Sequence, residues 1–381
     1  MIECRLKLLR EVRVWKWALS LGLAFALLVA QGGWQAAQAK EPATPELSLN
    51  RAIELAIQHA ESVTKAAKEV DRTEEWRKYR SEQLDYTPTE PPGNAKVEVA
   101  WAQLLSADLS WRMSKKSLTA EQDKVALDTC KKYFDVLAAQ NKVRSAEAAL
   151  DSARRQLQVA RALYNVGMAT QAALTGAEAQ YQAAQATLNA AQNDLDKAYV
   201  LLNQLVGLWP EDRPVLTDKV DFKALQITNL DYEVVKVLES CPTVWLAQET
   251  VTMKKYLEDM TLYTGEYRPY QARKIEVEQA ELDALTTKEM FERITRSLYY
   301  GVKNLEELYA GAEQGVWAAE ENLKVVKAKY EVGLATAAEV AAAEKSLAEA
   351  QYTAYNLACQ HAYMKLAFEK PWAYLSSLSS N

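Results

Sequence analysis

Apolar positions in this chain step by alternating three and four residues over unusually long distances. One series runs from Val136 through Ala139, Val143, Ala146, Leu150, Ala153, Leu157 and Ala160 to Tyr164. It breaks there and resumes from Leu174 through Ala177, Tyr181, Ala184, Leu188, Ala191, Leu195, Ala198 and Leu202 to Leu205. A second pair of series has the same phase: Val302, Leu305, Tyr309, Ala312, Val316, Ala319, Leu323, Val326, Tyr330, then Val340, Ala343, Leu347, Ala350, Ala354, Leu357. A mean step of 3.5 residues specifies left-handed coiled coils, and alternating large residues with Ala lets neighbouring helices approach closely. At about 1.5 Å per residue, residues 115–164 predict a rod roughly 75 Å long.

Each break carries a turn. Gly167 and Gly333 suit a left-handed conformation that stops the incoming helix, and Thr170 and Thr336 suit the N-caps of the returning ones. Thr336-Ala337-Ala338-Glu339 also spells a capping box. Each half therefore reads as an antiparallel helical hairpin, with the two Gly turns at one end.

The halves are a duplication. Tyr164-Asn165-Val166-Gly167-Met168-Ala169-Thr170-Gln171-Ala172 recurs 166 residues later as Tyr330-Glu331-Val332-Gly333-Leu334-Ala335-Thr336-Ala337-Ala338. At the same offset Tyr133 meets Tyr299, Leu157 meets Leu323, Glu178 meets Glu344 and Gln185 meets Gln351. Upstream, residues 47–83 predict an amphipathic helix with Leu49, Ile53, Ala56, Ile57 and Ala60 on one face. Leu230, Val234, Val237, Leu238 and Cys241 imitate it at an offset of 181, so the first half carries about fifteen extra residues, placed around Tyr86 to Trp111. There the alternation from Lys96 to Trp101 predicts one short strand or a loop packed on the helices. Between the halves, Gly207-Leu208-Trp209-Pro210 ends a helix, and residues 211–228 read as a connector with room for a short strand.

Composition narrows the class. The chain has 381 residues with only 12 Gly and 10 Pro, and no Pro falls between Pro92 and Pro210 or between Pro269 and Pro371. That excludes an all-β fold and argues against a βαβ enzyme, while 49% hydrophobic residues exclude a disordered tail. Residues 1–16 carry Arg5, Lys7, Arg10, Arg13 and Lys16, followed by an apolar run from Trp17 to Ala30 and then Ala37-Gln38-Ala39. This predicts a secretory signal peptide, residues 1–39, cut after Ala39; an uncleaved anchor is the alternative. Without it the basic and acidic groups number 40 and 49, a net charge of −9 that does not seek nucleic acid. Cys130, Cys241 and Cys359 are scattered, and Cys130 and Cys359 read as small packed residues. His59 and His361 are far apart, so a metal centre, a cofactor site or a His-dependent nucleophile has little to be built from, and no enzyme constellation emerges.

Two tandem coiled-coil hairpins, each with Tyr-x-Val-Gly-x-Ala-Thr at its turn and behind a signal peptide, resemble the TolC family of outer-membrane efflux ducts. The resemblance runs from about Leu47 to Phe368. It implies an all-α chain of two repeats, residues 40–210 and 229–370, joined by a connector over 211–228 and followed by a tail over 371–381. It further implies a homotrimer whose six hairpins close into a twelve-helix tunnel, passing small molecules or peptides from an inner-membrane transporter and its periplasmic adaptor (membrane fusion protein). The turn residues Tyr164, Val166, Gly167, Thr170, Tyr330, Val332, Gly333 and Thr336 then become adaptor-docking positions, and Glu339 an acidic ring at the tunnel tip or the capping-box residue alone. Tyr133, Phe134, Tyr299 and Tyr300 read as an aromatic lining or as packing at a helical junction.

One departure stands out against that family, whose repeats each insert a pair of membrane-spanning strands. A spanning pair needs roughly twenty residues or more, and Tyr263-Thr264-Gly265-Glu266-Tyr267-Arg268-Pro269 reads as a simple loop. The β-barrel is expected to be absent or vestigial, which puts outer-membrane insertion in question. An exported coiled-coil spacer or tether without a pore is the rival reading.

Overall fold

The computed structural model describes residues 44–84, 95–259 and 270–378. The chain divides into two units, residues 1–43 and 44–381, and all described residues belong to the second. The expected signal peptide and the expected loop at Tyr263–Pro269 lie outside the described residues.

The elements run β1 (Glu46–Leu47), α1 (Leu49–His59), α2 (Glu61–Glu82), α3 (Ala95–Asn165), α4 (Gln171–Val206), β2 (Val215–Leu216), α5 (Leu230–Ser240), α6 (Pro242–Asp259), α7 (Tyr270–Glu331), α8 (Ala337–Glu369) and α9 (Pro371–Leu378). Four long helices form a layer. α3 packs against α4 and α8, and α8 packs against α3 and α7, so the order is α4–α3–α8–α7 with α4 and α7 as its edges. The alternating Ala and large residues are the reason: no seam position of α4 from Leu174 to Leu205 is exposed, and Leu188 and Ala191 are buried against Ala146 of α3. α3 has 71 residues, roughly 105 Å of helix.

The duplication extends to individual bonds. Arg161–Glu178 ties the first hairpin at 3.2 Å, and Lys327–Glu344, 166 residues on, ties the second at 3.0 Å. Thr129 and Thr295, both wholly buried, each donate to the carbonyl four residues back at 2.7 Å. Val136 and Val302 are equally buried. A buried Thr hydroxyl that bonds its own helix needs no partner elsewhere, so both sites stay satisfied inside an apolar junction.

Three sequence expectations are corrected. Residues 47–83 are not one helix: the backbone becomes extended at Ala60, with ψ 118°, separating α1 from α2. The break has a mate at Cys241, with ψ 114°, ahead of Pro242. It lets α1 lie on α3 and α4 while α2 follows α3. Lys96–Trp101 is neither strand nor loop but part of α3. The fifteen extra residues of the first half are mostly helix: α2 is four residues longer than α6, α3 nine longer than α7, and two fall in the segment between.

Strand β1 was not anticipated either. It pairs in parallel with β2 of the connector, Glu46 opposite Val215. Tyr133 locks this pair to the layer, donating its hydroxyl to the Leu47 carbonyl at 3.0 Å and accepting the Asp218 N–H at 3.2 Å. Tyr133 is therefore packing, as is Phe134, 8% exposed, whereas Tyr300 is 64% exposed. These two-residue strands are the only strands among the described residues. The last helix is anchored too, through Trp372 Nε1 to Asp123 at 2.9 Å.

Candidate docking tips

Both turns are built alike. Gly167 and Gly333 have φ of 74° and 76°. In the first turn Gly167 N–H donates to Tyr164 O at 2.9 Å and Met168 N–H to Leu163 O at 2.8 Å; in the second, Gly333 N–H reaches Tyr330 O at 3.0 Å and Leu334 N–H reaches Lys329 O at 2.8 Å. This pair of bonds satisfies the carbonyls left over at a helix end and requires a left-handed residue between them. Thr170 and Thr336 then accept from the N–H three residues on. Glu339 completes a capping box, its carboxylate accepting from Thr336 N–H at 2.7 Å and Thr336 Oγ1–H at 3.2 Å.

A third glycine, Gly207, has φ 79° where α4 ends. A Cβ at Gly167 or Gly333 would meet nothing within 4 Å, but one at Gly207 would stand 2.8 Å from the His59 ring. Substitution to Ala is therefore expected to cost about 1 kcal/mol at either turn, from backbone strain alone. At Gly207 the loss should be clearly larger, and partly recovered in a His59→Ala background. Thermal melts of the four variants check this; equal losses at all three glycines would contradict it.

Of the residues singled out in the sequence, Val166 and Val332 are 68% and 70% exposed, and Tyr164 and Tyr330 are also exposed. Sequence reasoning missed the most exposed apolar pair, Met168 at 77% and Leu334 at 79%. The signal was there: the position after each Gly is large and apolar in both copies, although a solvated turn favours a polar residue. The two turns share an end of the layer. Arg155 of α3 has its pKa raised first by its bond to Asp151, with smaller contributions from Glu344 and Tyr330 of the second hairpin.

Far from the tips, the connector is strapped to the second hairpin. Glu306 accepts the Leu225 N–H and the Lys303 ammonium, and Lys303 returns a bond to the Leu225 carbonyl. Phe222 stacks on Tyr309 at 3.9 Å and leans on His361 at 4.6 Å. Burial holds the His361 pKa below its ordinary value, with the Glu306 contact opposing. Burial alone would raise Glu306, but its bonds to Lys303, Leu225 and His361 hold it below the usual range. A histidine whose pKa is lowered by folding takes up a proton less readily than it does in the unfolded chain. Stability should thus fall as pH drops through about 6.5, and the fall should shrink in His361→Gln, as melts between pH 8 and 5 will show.

Burial pushes the Cys130 thiol up to about 11, the Cys359 thiol up to about 12, and Cys241 upward as well. All three are free and buried. Such thiols are inert packing groups at neutral pH. No metal-binding cluster and no helix able to cross a membrane occurs among the described residues.

Residues 98–208 match the family of outer membrane efflux proteins. Among solved structures, that of CusC, described for its folding and transmembrane channel formation, superposes with a TM-score of 0.65 over 85% of this chain and 92% of that one, at 11% identity. The chain has the TolC-type fold. The Campylobacter jejuni outer membrane channel CmeC gives a TM-score of 0.63 over 86% of both chains at 13% identity. The Vibrio cholerae outer membrane protein VceC gives 0.59 over 85% of this chain and 95% of that one, at 16% identity. No curated protein sequence matches the chain. The TolC-type fold here is carried by the helical layer, its strands being only β1 and β2 among the described residues.

Proposed function

We propose that this chain is an efflux conduit of the cell envelope: three copies close their layers into a twelve-helix tunnel whose tips receive a periplasmic adaptor and its inner-membrane transporter. The observation that carries the reading is the pair of Gly turns at one end of the layer, presenting Val166, Met168, Val332 and Leu334 to solvent. Exposed apolar side chains in a fixed array mark a contact surface, and a spacer without a pore has no use for two of them side by side. Docking at Tyr164, Val166, Gly167, Thr170, Tyr330, Val332, Gly333 and Thr336 belongs to this proposal, as does a ring of three Glu339 carboxylates, a role compatible with capping. The chain acts passively, the transporter supplying the energy, and carries out no catalysis.

The test is complementation. In cells deprived of their own outer-membrane efflux channel, the chain should lower accumulation of a dye only when a transporter and adaptor are supplied with it. Unchanged accumulation with a correctly exported, folded chain would favour the spacer.

A further inference from the structure

Each hairpin seam has two flanks, and the flanks differ in charge. One holds Arg161–Glu178 and Lys327–Glu344. Stepping back by sevens along it reaches Tyr133 on α3 and Glu306 on α7, the side chains that hold the connector through Asp218 and Leu225. This row carries Glu147, Glu178, Glu306, Glu313, Glu320 and Glu344 against Arg154, Arg161 and Lys327. The other flank holds Lys142–Asp194 at 2.7 Å. It continues by sevens toward the tips from this pair and from its mates Leu308 and Gln360, together with the positions three residues further on. Those positions are mainly Gly, Ala, Val, Ser, Thr, Asn and Gln, and Gln156, Thr187 and Asn322 are exposed there. The charged members are Lys142, Lys197 and Lys329 against Asp194, Glu339 and Glu349, so the signs balance. Asp194 is already paired, and Glu349 meets Lys345 at 3.6 Å. A chain of net charge −6 thus keeps its acidic excess off this flank.

Twelve helices about 10 Å apart enclose a bore roughly 28 Å across. Three connectors on the inner wall would fill it, so the connector flank faces outward and the Lys142 flank lines the bore. We infer that this wall is electrically neutral and that the duct passes cations, anions and uncharged solutes alike. At physiological salt a charge is screened over about 8 Å, short of the roughly 14 Å from wall to axis, and balanced charges cancel sooner. A wall of one sign would instead collect counter-ions and favour cargo of the opposite charge. At the tip the balance depends on Lys329, which shares this flank with Glu339 across the turn. A ring of three Glu339 carboxylates is matched there by three ammonium groups. This inference rests on the conduit reading and adds the charge class of its cargo.

Asn322→Cys places a thiol on the inner wall one heptad from Lys329, and Glu147→Cys places one on the connector flank. Both positions are exposed, and the native cysteines are buried. On the purified mature chain, cationic and anionic methanethiosulfonates should modify Asn322→Cys at rates that agree within about threefold once scaled to a free thiol. Adding Lys329→Gln should tip the ratio several-fold toward the cation at low salt. A maleimide bearing a long polyethylene glycol chain should reach Glu147→Cys and fail at Asn322→Cys. With that exclusion seen, a preference beyond about tenfold for either sign, or a ratio that Lys329→Gln leaves unmoved, overturns the neutral wall and leaves the ring standing. Exclusion at Glu147→Cys instead turns the wall around and overturns the inference as well. Access at both positions, with a monomer mass by light scattering, overturns the ring and the inference together.

Discussion

Asn203→Ala is expected to lower the unfolding free energy by about 3 kcal/mol, more than any turn glycine. Asn203 has no exposed surface. Its amide donates to Trp209 O and Asp212 O, each at 2.8 Å, and more loosely to Pro210 O at 3.4 Å. These bonds close the turn by which α4 leaves the layer, just past the left-handed Gly207, and the Asp212 carboxylate helps by accepting the Trp209 N–H at 3.1 Å. Alanine removes every amide donor and opens a cavity where the buried side chain stood; the carbonyls keep only their bonds from Asp212 N–H and from Arg213, and losing a buried hydrogen-bonding group of this kind costs on the order of 1 to 3 kcal/mol. The turn leads into β2 and the connector, so loosening it also frees β1 and the Tyr133 lock. Asn203→Asp should be at least as harmful, because an ionised carboxylate offers these carbonyls no hydrogen. A loss below 1 kcal/mol for the alanine variant in thermal or urea melts would contradict the assignment.

The second large effect is functional and should come without loss of stability. Charging both tips with Met168→Glu and Leu334→Glu is expected to raise dye accumulation to the level of cells lacking the channel. Both side chains are more than three-quarters exposed, so the folded chain should tolerate carboxylates there. An apolar adaptor contact would not, since burying an unpaired carboxylate costs more than the contact returns. Melting temperature and oligomer mass should stay at wild-type values. Undiminished efflux by the double variant, with the protein present at normal levels, would remove the tips from the docking surface.

How much of this was legible in the sequence depended on whether the signal was local or relational. The seams and Gly turns were readable because the 3.5-residue period and the left-handed demand at Gly167 and Gly333 act within a few residues. The break at Ala60 was hidden, since Glu61 starts α2 without the proline that announces its mate at Cys241. Only the repeat, read as a pair, carried the hint. Lys96–Trp101 misled because six alternating residues fit a strand, while the 71-residue helix that absorbs them is set by packing along its length. β1 was invisible for a similar reason: two residues pair only because Tyr133, more than eighty residues away, holds the connector beside them. In the candidate site, the N-caps and capping box could be read from residue types. For Met168 and Leu334 the large apolar residue after each Gly was only a hint, and their exposure took the fold to establish, since it depends on how the other described elements pack.

The central claim is that this chain forms a tunnel wall rather than a free-standing rod. An end-on image of the purified mature protein by electron cryomicroscopy tests it most directly. A threefold ring of twelve helix cross-sections around an open lumen is expected. Single four-helix layers, or a bundle with a filled centre, would contradict it.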